Sequence, residues 1–121
     1  MIGENMIYST RVNTIGQMVG AFGGKMLILF GNEAPDTLKD FCYGIDVNKT
    51  EEALAPGQTI SFGDSAFKIT NVGDMAERNL NALGHLTVLF GAAEDEMLPG
   101  SIIVDGEQVP EISIGTHIRI D

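Results

Sequence analysis

The run Thr59-Ile60-Ser61-Phe62-Gly63-Asp64-Ser65-Ala66-Phe67-Lys68-Ile69 carries the strongest structural signal in this sequence. Polar and apolar residues alternate strictly from 59 to 62, and a second β-prone segment begins at residue 65, as in two half-buried strands. Gly63 and Asp64 between them suit the shortest hairpin connection, because glycine tolerates the positive φ that such a turn needs. The sequence therefore predicts a β-hairpin over residues 59–69.

Other short apolar segments recur along the chain and have the composition of strands. They are residues 6–12, 25–30, 85–90, 101–104 and 116–120. Asp105-Gly106 predicts a second hairpin-type turn. Because the strands do not alternate regularly with helices, a parallel α/β sheet is disfavoured. We predict a mainly β fold, a small antiparallel barrel or sandwich with two short helices.

The first helix is predicted near residues 35–43. Pro35 suits a first helical turn. Leu38, Phe41 and Cys42 stand at positions i, i+3 and i+4, so they would share one apolar face of that helix.

The second helix is predicted near residues 74–83. Asp74 followed three residues later by Glu77 has the spacing of a capping box. Gly84 provides the stop, because glycine favours the left-handed conformation that ends many helices.

Length and composition limit the class of protein. The 121 residues fit one domain, residues 1–121, and the 44% apolar content is enough for one hydrophobic core. Seventeen acidic residues against seven basic ones give a net charge of −10, which disfavours nucleic acid and anionic lipid as partners. The longest apolar run, residues 26–30, is too short to cross a membrane, and no signal-peptide pattern starts the chain. We expect a cytoplasmic protein without direct membrane insertion.

The sequence offers little for a metal or an organic cofactor. It contains two histidines and one cysteine at long spacings, and no C-x-x-C, H-E-x-x-H or calcium-loop pattern. The single cysteine cannot form a disulfide within the chain. We expect no metal and no cofactor.

Three side chains are candidates for nucleophilic chemistry. His85 follows the helix-ending glycine and opens a strand, where the helix C-terminus would raise its proton affinity. His117 alternates with Ile118 and Ile120 and should point to the solvated side of the last strand. Cys42 should face the core, where thiols are usually inert. For His85, simple packing at a strand end with a hydrogen bond to the backbone is the alternative to a chemical role.

The chain resembles the glucitol/sorbitol-specific IIA components of the sugar phosphotransferase system over nearly its whole length. The segment with the most weight is Asn79-Leu80-x-x-Leu83-Gly84-His85-x-Thr87. Further matching segments, in the same order and spacing, are Thr14-Ile15-Gly16-Gln17, Met26 to Phe30, Ala34-Pro35, Phe41-Cys42, Ala53 to Gly57, Ile60 to Gly63, Val72-Gly73, Pro99-Gly100 and Gly115.

The resemblance implies a phosphocarrier, a transferase component that relays a phosphoryl group. Its implied partners are the histidine-containing phosphocarrier protein, as donor, and the IIB/IIC components of a sugar permease. A homo-oligomer is compatible with it. The family's acceptor histidine belongs just after the first helix, where this chain has Ile45, and isoleucine cannot accept a phosphoryl group. His85 is then the expected acceptor. The alternative is a non-catalytic IIA relative that acts as a binding or regulatory module.

Overall fold

The hairpin predicted over residues 59–69 forms two neighbouring strands of a closed barrel in the computed structural model, which describes residues 6–121. The eight strands in chain order are β1 (Tyr8–Ile15), β2 (Met26–Phe30), β3 (Tyr43–Ile45), β4 (Thr59–Phe62), β5 (Ser65–Val72), β6 (Leu86–Phe90), β7 (Ser101–Asp105) and β8 (His117–Ile120). Two α-helices, α1 (Asp36–Lys39) and α2 (Ala76–Leu83), and two 3-10 turns, Val19–Phe22 and Glu94–Glu96, complete the secondary structure of the described residues. The predicted mainly β fold is confirmed, as a barrel.

The strand order around the barrel is β1-β3-β2-β6-β7-β5-β4-β8, and β8 pairs with β1 to close it. Six of the eight strand pairs are antiparallel. The pairs β2–β3 and β6–β7 are parallel. The hairpin turn is as predicted: Phe62 pairs with Ser65, and Gly63 has a φ of 61°.

Inward-facing aliphatic and aromatic side chains fill the barrel, as expected for eight strands. The largest fully buried ones are Phe62, Phe90, Leu27, Leu29, Ile45, Ile60, Ile69, Leu80, Leu86, Ile102, Ile118 and Ile120. Leu80 belongs to α2 and lies in the same core cluster as the strand residues. The barrel core therefore fixes the position of α2 and of the junction that follows it.

The hairpin predicted at Asp105-Gly106 is wrong. β7 ends at Asp105, and its partners are β5 and β6 rather than a strand that follows it directly. Gly106 lies against the Phe67 and Phe90 rings, so it supports close packing instead of a two-residue turn. The prediction failed because a turn signal alone does not identify the strand's partner.

The first helix is shorter than predicted. It ends at Lys39, and Cys42 lies outside it, directly before β3. Leu38 is exposed while Cys42 is buried, so the predicted apolar stripe does not form. The sequence does not predict β3, because a strand of three residues is too short to show a period of two.

The second helix begins at Ala76 and has no capping box. Met75 occupies the N-cap position, and no side chain caps it. The carboxylate of Glu77 instead accepts a hydrogen bond of 2.8 Å from the Leu54 N–H. The C-terminus of α2 is as predicted, because Gly84 adopts the left-handed conformation with a φ of 69°.

None of the helices within residues 6–121 has the length and apolar character that crossing a membrane requires.

Candidate functional site around His85

The position of His85 is set by the end of α2. The Gly84 N–H donates to Leu80 O at 2.9 Å, and the His85 N–H donates to Asn79 O at 3.2 Å. These two bonds satisfy carbonyl groups that a helix C-terminus would otherwise leave unpaired. β6 begins at the next residue, Leu86, which is fully buried. His85 is therefore held between a capped helix and an anchored strand.

The His85 side chain is half-buried and stacks on Phe30, the last residue of β2. The two ring centroids are 4.2 Å apart and the rings are inclined by 16°. Within residues 6–121 the imidazole makes no hydrogen bond, so its ring nitrogens are not engaged by that part of the protein. The expected backbone hydrogen bond of the packing alternative is therefore absent from the described residues.

Burial lowers the pKa of His85. The expectation of a raised proton affinity is wrong, because burial desolvates the charged form of the ring and so disfavours protonation. The imidazole is accordingly neutral at pH 7, which is the form that acts as a nucleophile.

Two glycines bring the main chain of β2 close to the end of α2. The Gly31 N–H donates to Leu83 O at 2.9 Å, and a Cβ placed on Gly84 would lie 3.0 Å from Gly31 N. The Val47 side chain lies over both glycines and would collide with a Cβ at Gly31. Gly31, directly after β2, and Val47 are remote from α2 in sequence, and both thus meet Gly84, the residue that precedes His85.

A cavity of about 310 Å³ lies next to the junction of α2 and β6. Phe30 is common to the cavity and the junction, because it lines the cavity and its ring stacks on His85. The cavity brings together several of the segments that carry the family resemblance. Its lining residues are Thr14, Ile15, Gly16, Gln17, Phe30, Gly31, Asn32, Ala34, Lys39, Asp40, Cys42 and Gly44. His85 itself is not among them.

Cys42 lies in the cavity wall but is not arranged for chemistry. Its side chain is buried in a small cluster with Phe30 and Ala34, and its Sγ lies 3.1 Å from Leu38 O as a hydrogen-bond donor. Burial raises the pKa of its thiol, so the reactive thiolate is disfavoured at neutral pH. The prediction that Cys42 is buried is confirmed, although Leu38 is not a buried neighbour.

Ile45 occupies the position at which the family resemblance expects a histidine, and it lies in the barrel core. It is 0% exposed, pairs with Val12 of β1, and belongs to the main apolar cluster. It has no access to a donor protein at the surface.

His117 faces solvent on β8, as predicted, while Ile118 and Ile120 are fully buried. Its Nε2 lies 2.6 Å from the Ser9 hydroxyl. β8 lies between β1 and β4, whereas β6 lies between β2 and β7, so the structure does not bring the two histidines onto neighbouring strands.

Sequence reasoning missed Phe30 as the residue that stacks on His85 and Val47 as a neighbour of Gly84. The sequence marks Phe30 only as a strand-ending residue, and nothing near Val47 indicates its contact with Gly31 and Gly84. No group of three potential metal ligands occurs within residues 6–121.

Comparisons with known proteins identify the family of this chain. A model of the family described as the PTS system glucitol/sorbitol-specific IIA component matches residues 7–119. The glucitol/sorbitol-specific EIIA components of Escherichia coli (strain K12) and Shigella flexneri are each 32% identical over 117 residues, covering 96% of this chain and 95% of theirs. The crystal structure of a PTS system IIA component from Enterococcus faecalis V583 is similar at a TM-score of 0.83 and 35% identity, covering 92% of this chain and 97% of that one. The chain belongs to the glucitol/sorbitol-specific IIA component family of the sugar phosphotransferase system.

Proposed function

We propose that this protein accepts a phosphoryl group from the histidine-containing phosphocarrier protein, holds it on His85, and passes it to the IIB component of a sugar permease. The observation that carries the proposal is the match of the family to residues 7–119, which includes the segment around His85. We place the protein in the cytoplasm, as one functional domain over residues 1–121, where donor and permease components are accessible.

The environment of His85 suits reversible phosphoryl transfer. The neutral ring nitrogen would attack phosphorus as the bond to the donor's histidine nitrogen breaks, so one N–P bond replaces another and the donor ring regains its lone pair. The second step repeats this exchange toward the nucleophile of the IIB component. Such transfer depends mainly on positioning and charge stabilisation, much of which a docked partner can supply.

Other side chains are weaker acceptors. Hydroxyl esters of serine and threonine are too stable for easy onward transfer, and lysines are protonated at neutral pH. Cys42 is buried with a raised pKa, and His117 already contacts Ser9. The half-buried His85, with no hydrogen bond to residues 6–121, has the fewest competing interactions.

The test is phosphorylation with phosphoenolpyruvate, enzyme I and the cognate phosphocarrier protein, followed by intact-mass measurement. We expect the wild type to gain one acid-labile phosphoryl group and His85→Gln to gain none. His117→Gln is the matched control, because it removes the only other histidine of the chain and should be labelled like the wild type.

Each contrary result has a distinct meaning. Labelling of His85→Gln would place the acceptor elsewhere. An unlabelled wild type, in a reaction that labels another IIA component of the same organism, would favour the non-catalytic alternative.

A further inference from the structure

We propose that Val47 and Leu83, together with His85 itself, form the docking surface for the phosphoryl-donating protein, and that this partner presents a basic surface. We call these three residues the His85 face. The inference rests on the proposed function, because it assigns the surface through which the donor reaches His85.

The apolar part of the His85 face consists of two exposed side chains. Val47 is 44% exposed and Leu83, two residues before His85, is 42% exposed. Val47 packs against Gly31 and against Gly84, the residue before His85, because neither glycine has a Cβ that would meet its methyl group. Exposed apolar side chains grouped around a reactive residue are a mark of an interaction site, whereas a single exposed one needs no explanation.

The segment that carries Val47 is fixed in the free protein. The Thr10 hydroxyl donates to Asp46 O at 2.7 Å, and the Asn48 side-chain amide donates to Ser9 O at 2.7 Å. Further along, the Thr50 N–H donates to the Asn81 side-chain oxygen of α2 at 2.8 Å. A preorganised surface loses little conformational entropy on association.

The chain around the His85 face is acidic, which indicates the charge of the partner. Between residues 31 and 49 there are four carboxylates, Glu33, Asp36, Asp40 and Asp46, and two cations, Lys39 and Lys49. Lys39 is paired with Asp36 at 3.6 Å. Glu33, Asp40 and Asp46 are exposed. Asp46 directly precedes Val47, and Asp40 lines the cavity that also contains Phe30 and Gly31. We call these two carboxylates the acidic rim, and their charge favours a basic partner, with faster encounter at low salt.

Charge also argues against a second copy of this chain as the occupant. Two copies that each carry a net charge of −10 would bring acidic rims together, and like-charge contacts oppose association.

The test measures binding of the unphosphorylated cognate phosphocarrier protein by titration calorimetry, separately from phosphoryl transfer. We expect Val47→Asn and Leu83→Gln each to weaken binding by about tenfold, as for loss of a central apolar contact.

Leu98→Gln is the matched control, because Leu98 is 50% exposed but lines a different cavity with Lys25 and Phe90. It should change binding by less than about twofold. Both apolar residues of the His85 face are tested, because Val47→Asn also removes a methyl group that packs on Gly31 and Gly84, and a thermal melt would reveal any resulting loss of stability.

Raising the salt concentration should weaken wild-type binding, because screening reduces attraction between the acidic rim and a basic partner. The docking surface is overturned if Val47→Asn and Leu83→Gln both bind with wild-type affinity. If the wild type is also labelled normally, the phosphocarrier function stays intact. A concentration-dependent dimer that both variants dissociate would instead assign the surface to a second copy. Absence of both binding and labelling in the wild type would contradict the phosphocarrier function itself.

Discussion

At the scale of single residues, Glu77 connects α2 to a remote loop. Its carboxylate accepts the Leu54 N–H at 2.8 Å, and Leu54 is buried in the main core cluster. Removing the acceptor leaves a partly buried N–H without a partner, which costs about 1–2 kcal/mol. We therefore expect Glu77→Ala to lower the free energy of unfolding by about that amount, measured by urea denaturation.

Two variants separate this contact from helix capping. Glu77→Gln keeps a side-chain oxygen at the same distance along the chain and should retain most of the stability. Asp74→Ala should leave it unchanged, because Asp74 is exposed and no side chain caps α2. A loss of about 1 kcal/mol in Asp74→Ala would mean that the cap forms in solution.

At the scale of elements, the junction of β2 with α2 depends on a close main-chain approach. A Cβ at Gly31 would lie 2.6 Å from Leu83 O and would collide with the Val47 side chain. Although the Val47 side chain can shift, Leu83 O belongs to the backbone, so relief requires the chain after β2 to move away from the end of α2. We expect Gly31→Ala to destabilise the protein by about 1–3 kcal/mol in a chemical denaturation experiment.

The control for this variant is Gly20→Ala. Gly20 has open space around its Cβ position and no positive φ. Alanine there should leave stability unchanged or raise it slightly, because it restricts the unfolded chain. Equal denaturation curves for the two variants would show that the junction relaxes without a loss of stability.

At the scale of the whole molecule, the lowered pKa of His85 links global stability to pH. Above about pH 6.5 the ring is neutral in both the folded and the unfolded chain, so protonation of His85 takes nothing from the free energy of unfolding. As pH falls below that value, the unfolded chain binds a proton that the folded chain resists, so stability is lost until the folded pKa is passed.

The measurement compares wild type with His85→Gln by urea denaturation between about pH 8 and pH 5. Carboxylates titrate in both proteins, so their effect cancels in the difference. We expect the difference in unfolding free energy, wild type minus variant, to fall as the pH falls. A difference that grew toward low pH would mean that the folded state raises the pKa of His85.

Local patterns in the chain are sufficient to predict most strands of the barrel and the end of α2. Strand alternation has a period of two, and the turn at Gly63 requires only the backbone freedom of that residue. Gly84 ends the helix for the same local reason, so the amino-acid sequence alone places His85 at a helix–strand junction.

The surroundings of that junction depend on the three-dimensional fold. Leu54, rather than the helix N-terminus, is the partner of Glu77, and Phe30 and Val47 reach the His85 segment from distant parts of the chain. The fold also buries the His85 ring in part, and this burial lowers its pKa. These contacts arise from barrel closure, which joins residues far apart in sequence, and no local periodicity records them.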